Sequence, residues 1–198
     1  MSNIQKYYII YKPFQVLSQF SREGEKNTLK DFFEVPGDVY PVGRLDYDSE
    51  GLLILTNDTS LNARLLHPRN AHSRTYWVQV EGDITAEALT RLRNGVEISV
   101  NGKTHRTLPA KVSRFDTPPE LPERNPPIRF RKSVPDSWIS ITLTEGKNRQ
   151  VRKMTAAAGY PTLRLVRYSI EKISLGKMQP GDMKELKRSE IYSQLFGK

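Results

Sequence analysis

A carboxylate-rich turn and the apolar run that follows it constrain the fold more than any other part of the sequence. Leu52–Leu55 reads Leu-Leu-Ile-Leu, and an unbroken run of this kind is typical of a strand that is buried on both faces. Asp46, Asp48 and Glu50 alternate in the preceding turn, and Arg44 stands two residues before the first of them. The pattern predicts a buried strand that the chain enters through an acidic turn.

The rest of the chain passes irregularly between strand-like and helix-like segments. Strands are predicted at residues 7–11, 39–45, 75–80, 96–100, 111–115, 138–143, 163–168 and 170–175. Helices are predicted at residues 29–33, 61–66, 148–158 and 190–196, and after Asp83 or Thr85. Asn101-Gly102 favours a type I′ hairpin turn. Because the strands outnumber the helices and do not alternate regularly with them, the sequence predicts an α+β fold.

Residues 116–136 form the least regular stretch of the chain. The stretch contains six prolines, together with Arg124, Arg129, Arg131 and Lys132. A proline-rich loop of this length is either a linker or a functional excursion. Strand-like residues resume immediately after it, so we interpret it as an excursion from one domain.

Composition limits the classes of protein to which the chain can belong. Its 198 residues are enough for one good core and few for two. The absence of cysteine excludes disulfides, thiolate nucleophiles and cysteine-held metals, and no apolar run is long enough for a transmembrane helix. The start of the chain has no signal-peptide layout. The net charge of +9 and a pI near 9.7 favour a polyanionic partner, most often nucleic acid. The alternatives are a charge that serves solubility alone, or an acidic protein or lipid surface as the partner.

Several chemistries fit the acidic turn. Asp46, Asp48 and Glu50 are similar to the first half of a calcium loop, but the twelfth position is Asn57 and apolar residues occupy the later ligand positions. Two of the carboxylates could instead hydrolyse a glycosidic bond. A single aspartate could attack a sugar carbon or assist the cleavage of its glycosidic bond, with Arg44 to orient it. A solvated turn without chemistry is the remaining alternative.

A second constellation lies in the last third of the chain, where cations occur without any acid. Between residues 147 and 167 the sequence contains no carboxylate, and its cations are Lys147, Arg149, Arg152, Lys153, Arg164 and Arg167. Arg152 and Lys153 follow Arg149 by three and four residues, which predicts one cationic face at the start of a helix. The start of a helix favours phosphate. An exposed basic helix without a ligand is the alternative.

Three motifs stand in one order: Gly43-Arg44-Leu45-Asp46, then Arg74-Thr75-Tyr76, then Glu145–Met154. This series resembles the RNA pseudouridine synthases of the RsuA group, and the likeness covers nearly the whole chain. Residues 124–129, with Ser137-Trp138 after them, are similar to the E branch of that group, whose members modify the RNA of the large ribosomal subunit. The resemblance implies the pseudouridine synthase fold, with a mixed or antiparallel central sheet in two lobes flanked by helices and an active-site cleft between the lobes.

The resemblance also implies a role for each matching residue. Asp46 matches the catalytic aspartate, and Tyr76 matches the tyrosine that stacks on the target base and takes part in proton transfer. Arg152 best matches the basic residue that pairs with the aspartate, with Arg149 as the alternative. Arg44 matches the arginine that contacts RNA near the flipped nucleotide. The further residues that we expect to bind RNA are Arg74, Lys147, Arg149, Lys153, Arg164 and Arg167.

The function that the resemblance implies is isomerisation of a specific uridine in large-subunit ribosomal RNA to pseudouridine. The partner is therefore ribosomal RNA, and neither a membrane, a metal nor a cofactor is expected. The chain is expected to be a single catalytic domain over residues 1–198, without the small RNA-binding S4 domain that precedes it in many members. We expect a cytoplasmic monomer.

Overall fold

The computed structural model describes residues 4–128 and 134–197. These residues form two compact units. The first unit contains the described residues up to His72 and from Arg167 onward, and the second unit contains the described residues of Ser73–Val166. Three of the cations that the sequence places in the proline-rich stretch, Arg129, Arg131 and Lys132, lie outside the described residues.

The elements follow one another with many short strands and few helices. The strands are β1 (Tyr7–Lys12), β2 (Val16–Leu17), β3 (Asn27–Thr28), β4 (Tyr40–Pro41), β5 (Glu50–Thr56), β6 (Arg74–Glu81), β7 (Glu97–Val100), β8 (Lys103–Arg106), β9 (Lys111–Arg114), β10 (Asp136–Leu143), β11 (Thr162–Ile170), β12 (Ile173–Ser174) and β13 (Met183–Glu185). The α-helices are α1 (Thr59–Leu66), α2 (Ala86–Arg93), α3 (Gln150–Ala157) and α4 (Arg188–Phe196), and two single turns of 3-10 helix cover Leu29–Asp31 and Pro68–Asn70.

The first unit is organised around β5. This strand pairs antiparallel with β1 from Tyr7↔Thr56 to Lys12↔Gly51, while β13 pairs with the other edge of β1 and β4 pairs with the end of β5. All seven residues of β5 are buried, so the prediction of a strand with two buried faces is confirmed. The side chains of Ile10, Leu53 and Leu55 share one apolar core with residues from the loops that follow β1.

The second unit contains the antiparallel sheet β6-β10-β9. β6 pairs with β10 through all eight residues of each strand, with Tyr76 opposite Ile141, and β9 pairs with the other edge of β10. Helices α2 and α3 contribute buried residues to one core with this sheet, including Leu92, Met154 and Ile139. Because β9 and β10 are neighbours, the proline-rich stretch leaves and re-enters one sheet, as expected of an excursion from one domain.

Local sequence signals placed most of these elements correctly. The β7–β8 hairpin turns at Asn101 and Gly102, whose φ angles of 50° and 75° are the positive values that a type I′ turn requires. Thr85 caps α2 by accepting a hydrogen bond from the amide of Ala88. The α+β fold class predicted from the sequence is confirmed, since antiparallel sheets and short helices make up both units.

Two predicted strands are wrong in extent, and a positive φ angle explains each difference. The strand predicted at residues 39–45 is reduced to Tyr40–Pro41, because Gly43 adopts a φ of 71° and turns the chain out of the sheet. The strand predicted at residues 170–175 is reduced to Ile173–Ser174, because Glu171 adopts a φ of 49° and reverses the chain into a hairpin with β11. None of the helices in the described part of the chain has the length and hydropathy needed to cross a membrane.

Candidate active site

The backbone around Asp46 is anchored on both sides. The hydroxyl of Ser18 donates a hydrogen bond to the carbonyl of Leu45 at 2.8 Å and accepts one from the amide of Leu45 at 3.0 Å. On the other side, the amide of Gln15 donates to the carbonyl of Tyr47 at 2.9 Å. The turn closes when the amide of Ser49 donates to the carbonyl of Asp46 at 3.0 Å. Asp46 itself is half-buried, so the turn holds the backbone of a residue that is only partly exposed.

A buried lysine, Lys12, lies beneath this turn and was not among the candidate site residues predicted from the sequence. Its side chain is fully buried, and its ammonium donates to the carbonyls of Pro13 at 2.9 Å and Val16 at 2.7 Å. Burial lowers the pKa of Lys12 to about 7, against the charges of Glu50, Asp46 and Asp48, which favour the protonated form. One sequence signal could have predicted its burial: Lys12 directly follows the apolar run Tyr7–Tyr11 and is the last residue of the same buried strand.

Glu50 and Arg167 complete this buried group of charges in the first unit. Glu50 is 1% exposed and begins β5, so it lies inside the fold while Asp46 and Asp48 are half-buried. The guanidinium of Arg167 donates to the carbonyl of Leu52 at 2.7 Å, in the buried interior. Within residues 4–128 and 134–197, no group of three His, Asp or Glu side chains could hold a metal ion.

Gly51 lies against the backbone of Arg167 at a position where a side chain would not fit. Its φ of 112° is rarely adopted by residues with a side chain, and a Cβ atom placed on it would lie 2.7 Å from the amide nitrogen of Arg167. Real Cβ atoms do not approach backbone this closely. Glycine is therefore needed at the junction of the acidic turn and β5, which explains its place in the motif.

The remaining residue of the first motif, Arg44, is exposed on the loop before Asp46. This exposure leaves its guanidinium accessible to a ligand. Arg44 and Asp46 both belong to the first unit, whereas Tyr76 and Arg152 belong to the second.

In the second unit, β6 carries Arg74 and Tyr76. These residues are two positions apart and therefore lie on the same face of the strand. Both are half-buried, and Tyr76 packs against the core of this unit. Between them, the hydroxyl of Thr75 lies 2.9 Å from the hydroxyl of Thr142 on β10, which fixes the register of this end of the sheet.

The prediction that Arg149, Arg152 and Lys153 form one cationic face at the start of a helix is partly wrong. Helix α3 begins at Gln150, and Arg149 precedes it with a φ of 52° and ψ of 33°. Arg149 therefore belongs, with Lys147, to an exposed loop, while Arg152 and Lys153 are half-buried in the first turn of the helix. Only Arg152 and Lys153 therefore lie on the helix, because the chain is left-handed at Arg149 and the helix begins after it.

Arg164 and Arg167 were predicted to bind RNA, but the structure places both in the interior. They are 6% and 4% exposed. The guanidinium of Arg164 donates to the carbonyl of Pro122 at 2.9 Å, and that of Arg167 donates to Leu52 as described above. The positions of both residues are a correction to the expected basic surface, since strand β11 turns these side chains toward protein carbonyls.

Arg164 also shows how the proline-rich stretch is held. Arg124 lies in that stretch and donates to the carbonyls of Pro126 at 2.9 Å and Leu163 at 3.5 Å. Together with the contact between Arg164 and Pro122, these hydrogen bonds attach the described part of the stretch to β11 within the second unit. At least one of its cations therefore has a structural role.

Comparison with known proteins identifies the class to which this fold and these motifs belong. A family model of RNA pseudouridylate synthases matches residues 6–157, and the chain belongs to this family. A solved structure of a pseudouridylate synthase has a TM-score of 0.77 and 26% sequence identity, covering 97% of this chain and 74% of that one. The predicted pseudouridine synthase fold and the enzyme class, an RNA-modifying isomerase, are thereby confirmed.

The similarity extends to one branch of the family. The chain is 52% identical over 182 residues to ribosomal large subunit pseudouridine synthase E of Vibrio parahaemolyticus, covering 92% of this chain and 74% of that protein. It is also 52% identical over 174 residues to the synthase E of Xanthomonas axonopodis, covering 87% of this chain and 89% of that protein. Identity to ribosomal large subunit pseudouridine synthase B of Bacillus subtilis is 34% over 186 residues, or 93% of this chain and 69% of the relative. The resemblance to the E branch is confirmed.

Proposed function

We propose that this protein isomerises a specific uridine of large-subunit ribosomal RNA to pseudouridine, with Asp46 as the catalytic residue. The observation that carries the proposal is Asp46 itself, which stands in the family motif on a backbone that Ser18 and Gln15 anchor from both sides. The relatives that share about half of its residues are named as large-subunit synthases, which supports the same substrate class here.

In this mechanism the target nucleotide leaves its helix, which costs roughly a few kcal/mol in lost stacking and pairing. Asp46 assists cleavage of the bond between N1 of uracil and C1′ of ribose. The base then rotates, C5 bonds to C1′, and the proton on C5 is removed while N1 gains one. Atoms are conserved and nothing is oxidised, so we propose that the reaction needs neither a cofactor nor a metal.

The other matching residues are proposed to bind and orient the RNA. Tyr76 stacks on the flipped base, as aromatic side chains do with unstacked nucleotides, and Arg152 pairs with the catalytic aspartate. The residues that contact phosphate or the nucleotides next to the target are Arg44, Arg74, Lys147, Arg149 and Lys153. Arg164 and Arg167 do not belong to this set, because their burial favours a structural role.

We further propose that the protein acts as a monomer, and that residues 1–198 constitute one catalytic domain. We also propose that it acts in the cytoplasm, because the relatives named as large-subunit synthases come from bacteria, in which ribosomal RNA is made and assembled in the cytoplasm. RNA docking through the basic surfaces of this domain would release counterions, so binding should weaken steeply as the salt concentration rises.

The test is the activity of Asp46→Asn on large-subunit RNA that lacks the modification. Pseudouridine is located by its carbodiimide adduct, and Asp48→Asn serves as the matched control because it removes a carboxylate from the same turn. We expect Asp46→Asn to lower the rate at least about 100-fold, the scale of a lost catalytic carboxylate, and Asp48→Asn to lower it much less. Pseudouridine formation by Asp46→Asn at the wild-type rate would disprove the catalytic role. Equal activity of the wild type on small-subunit RNA would disprove the substrate.

A further inference from the structure

The exposed loop before α3 has a conformation that its own residues do not favour. Residues 146–149 are all exposed and include Lys147 and Arg149. Arg149 has left-handed φ and ψ angles, which are unfavourable for a residue with a Cβ atom. Other contacts must therefore hold the loop in this shape.

Gln150 supplies the nearest of these contacts. Its side chain is 4% exposed although it begins α3 beside the loop. The amide oxygen of the side chain accepts a hydrogen bond from the amide of Lys147 at 2.9 Å, and the backbone amide of Gln150 donates to the carbonyl of Lys147 at 3.1 Å. Gln150 thus closes the loop with both its backbone and its side chain.

Glu145 anchors Gln150 to a distant part of the second unit. Its Oε1 accepts from the side-chain amide of Gln150 at 2.7 Å and from the backbone amide of Leu108 at 2.8 Å. Its Oε2 lies 3.0 Å from Nε2 of His105, which is on β8. One carboxylate therefore ties the loop to the hairpin strand and to the segment that follows it.

The placement of this carboxylate is informative because its charge has the wrong sign for RNA. A negative charge beside a cationic loop lowers the attraction to phosphate, so Glu145 does not serve as an RNA contact. Its side chain is 11% exposed, and three donors surround it. Its function must be to position neighbouring groups.

We propose that Glu145 is a positioning residue that, through His105 and Gln150, preforms the cationic loop for RNA. The inference rests on the proposed function for its ligand. A loop that already has its bound shape avoids the entropy cost of ordering when RNA binds. Loss of Glu145 should therefore weaken RNA binding while leaving the chemical step intact once the substrate is saturating.

The kinetic test compares Glu145→Ala with Glu97→Ala, which removes an exposed carboxylate from the adjacent strand β7. Both variants remove one negative charge, which by itself favours RNA. We expect KM for the large-subunit RNA to rise about tenfold in Glu145→Ala, as the ordering cost returns, with kcat within about threefold of wild type. Glu97→Ala should not raise KM. An unchanged KM, or a loss confined to kcat, would overturn the proposal.

His105 provides a conservative rescue. His105→Ala should raise KM because one of the three partners of Glu145 is lost, whereas His105→Gln retains an N–H group that can reach the carboxylate and should restore KM to within about twofold of wild type. A general loss of packing would not be repaired in this way. If the two His105 variants are equally impaired, the link through His105 is refuted.

Limited trypsin digestion of the RNA-free protein separates this inference from the proposed function. Lys147 and Arg149 are exposed cleavage sites in the loop, and a preformed loop resists cleavage. We expect faster cleavage at these two sites in Glu145→Ala than in the wild type or Glu97→Ala. If Glu145→Ala is cleaved faster but the wild type makes no pseudouridine, the proposed function is rejected and the positioning role is kept. An active wild type with unchanged cleavage would reject the positioning role alone.

Discussion

Replacement of the buried Lys12 by methionine should change how the stability of the protein depends on pH. Lys12 has no exposed surface, and burial lowers its pKa from 10.5 to about 7. In the unfolded chain the pKa returns to its ordinary value, so between pH 7 and 10.5 the unfolded state binds the extra proton. Stability rises with pH wherever the unfolded state binds more protons, so the free energy of unfolding of the wild type should increase across this window.

The size of the effect follows from the two pKa values. Each pH unit well inside the window contributes about 1.4 kcal/mol. Between about pH 7 and pH 9 the gain is about 2 kcal/mol, because the folded lysine is only half deprotonated at the lower limit. Methionine has a similar length and does not titrate, so Lys12→Met should lack this gain. Its lost hydrogen bonds to the carbonyls of Pro13 and Val16 add an offset without changing the slope.

The measurement is urea unfolding at pH 7, 8 and 9, followed by tryptophan fluorescence. The quantity of interest is the difference in unfolding free energy between wild type and Lys12→Met, since the titration of all other groups cancels to first order. Lys30→Met is the control, because Lys30 is exposed. Its loss should change the unfolding free energy by the same amount at pH 7 and at pH 9. Parallel stability curves for wild type and Lys12→Met would refute the reasoning and show that neighbouring carboxylates keep Lys12 charged.

Two further substitutions test how the first unit is held together. Asp58→Ala removes the acceptor of four hydrogen bonds, whose donors are the amides of Ser60 and Leu61 at the start of α1 and the hydroxyls of Tyr7 and Tyr192. The variant should lose about 2–4 kcal/mol of unfolding free energy in urea titrations at pH 7. Burial alone would raise the pKa of Asp58, but these hydrogen bonds lower it overall. The loss of stability in Asp58→Ala should therefore shrink as the pH falls through the pKa of the folded state. A loss that stays constant down to acid pH would contradict this. Gly51→Ala forces a Cβ atom against the backbone of Arg167 at a φ of 112° and should cost about 3 kcal/mol or more, whereas a normal melting temperature would show that β5 can shift at little cost.

Local patterns were sufficient for most of the elements and for the family motif that contains Asp46. The apolar run before Thr56, the Asn101-Gly102 turn and the threonine cap of α2 act through neighbours within a few residues, so their structures could be predicted from the sequence. The family resemblance depends in the same way on short contiguous motifs. Boundaries were less predictable, because Glu171 and Arg149 adopt positive φ angles that their residue types do not favour.

Charged residues show the limit of sequence reasoning most clearly. Arg164 and Arg167 were predicted as surface cations, and Lys12 was not considered, yet all three are buried. Whether a charge is buried depends on carbonyls and carboxylates that approach from other parts of the chain. Arg167 reaches a carbonyl 115 residues away in sequence, and Arg164 reaches one 42 residues away. The number of cations could be counted from the sequence, but their accessibility could not.

The sequence by itself determined the family, the α+β class and the buried strand β5, and it led to the proposal for Asp46, because each depends on residue types at fixed short spacings. Only the tertiary structure decided which charges surround that aspartate in the first unit and which contacts hold the cationic loop of the second. The Glu145 contacts to His105 and Leu108 span 40 and 37 residues. Such hydrogen bonds form only when packing brings remote backbone segments together and excludes water, and no local pattern encodes them.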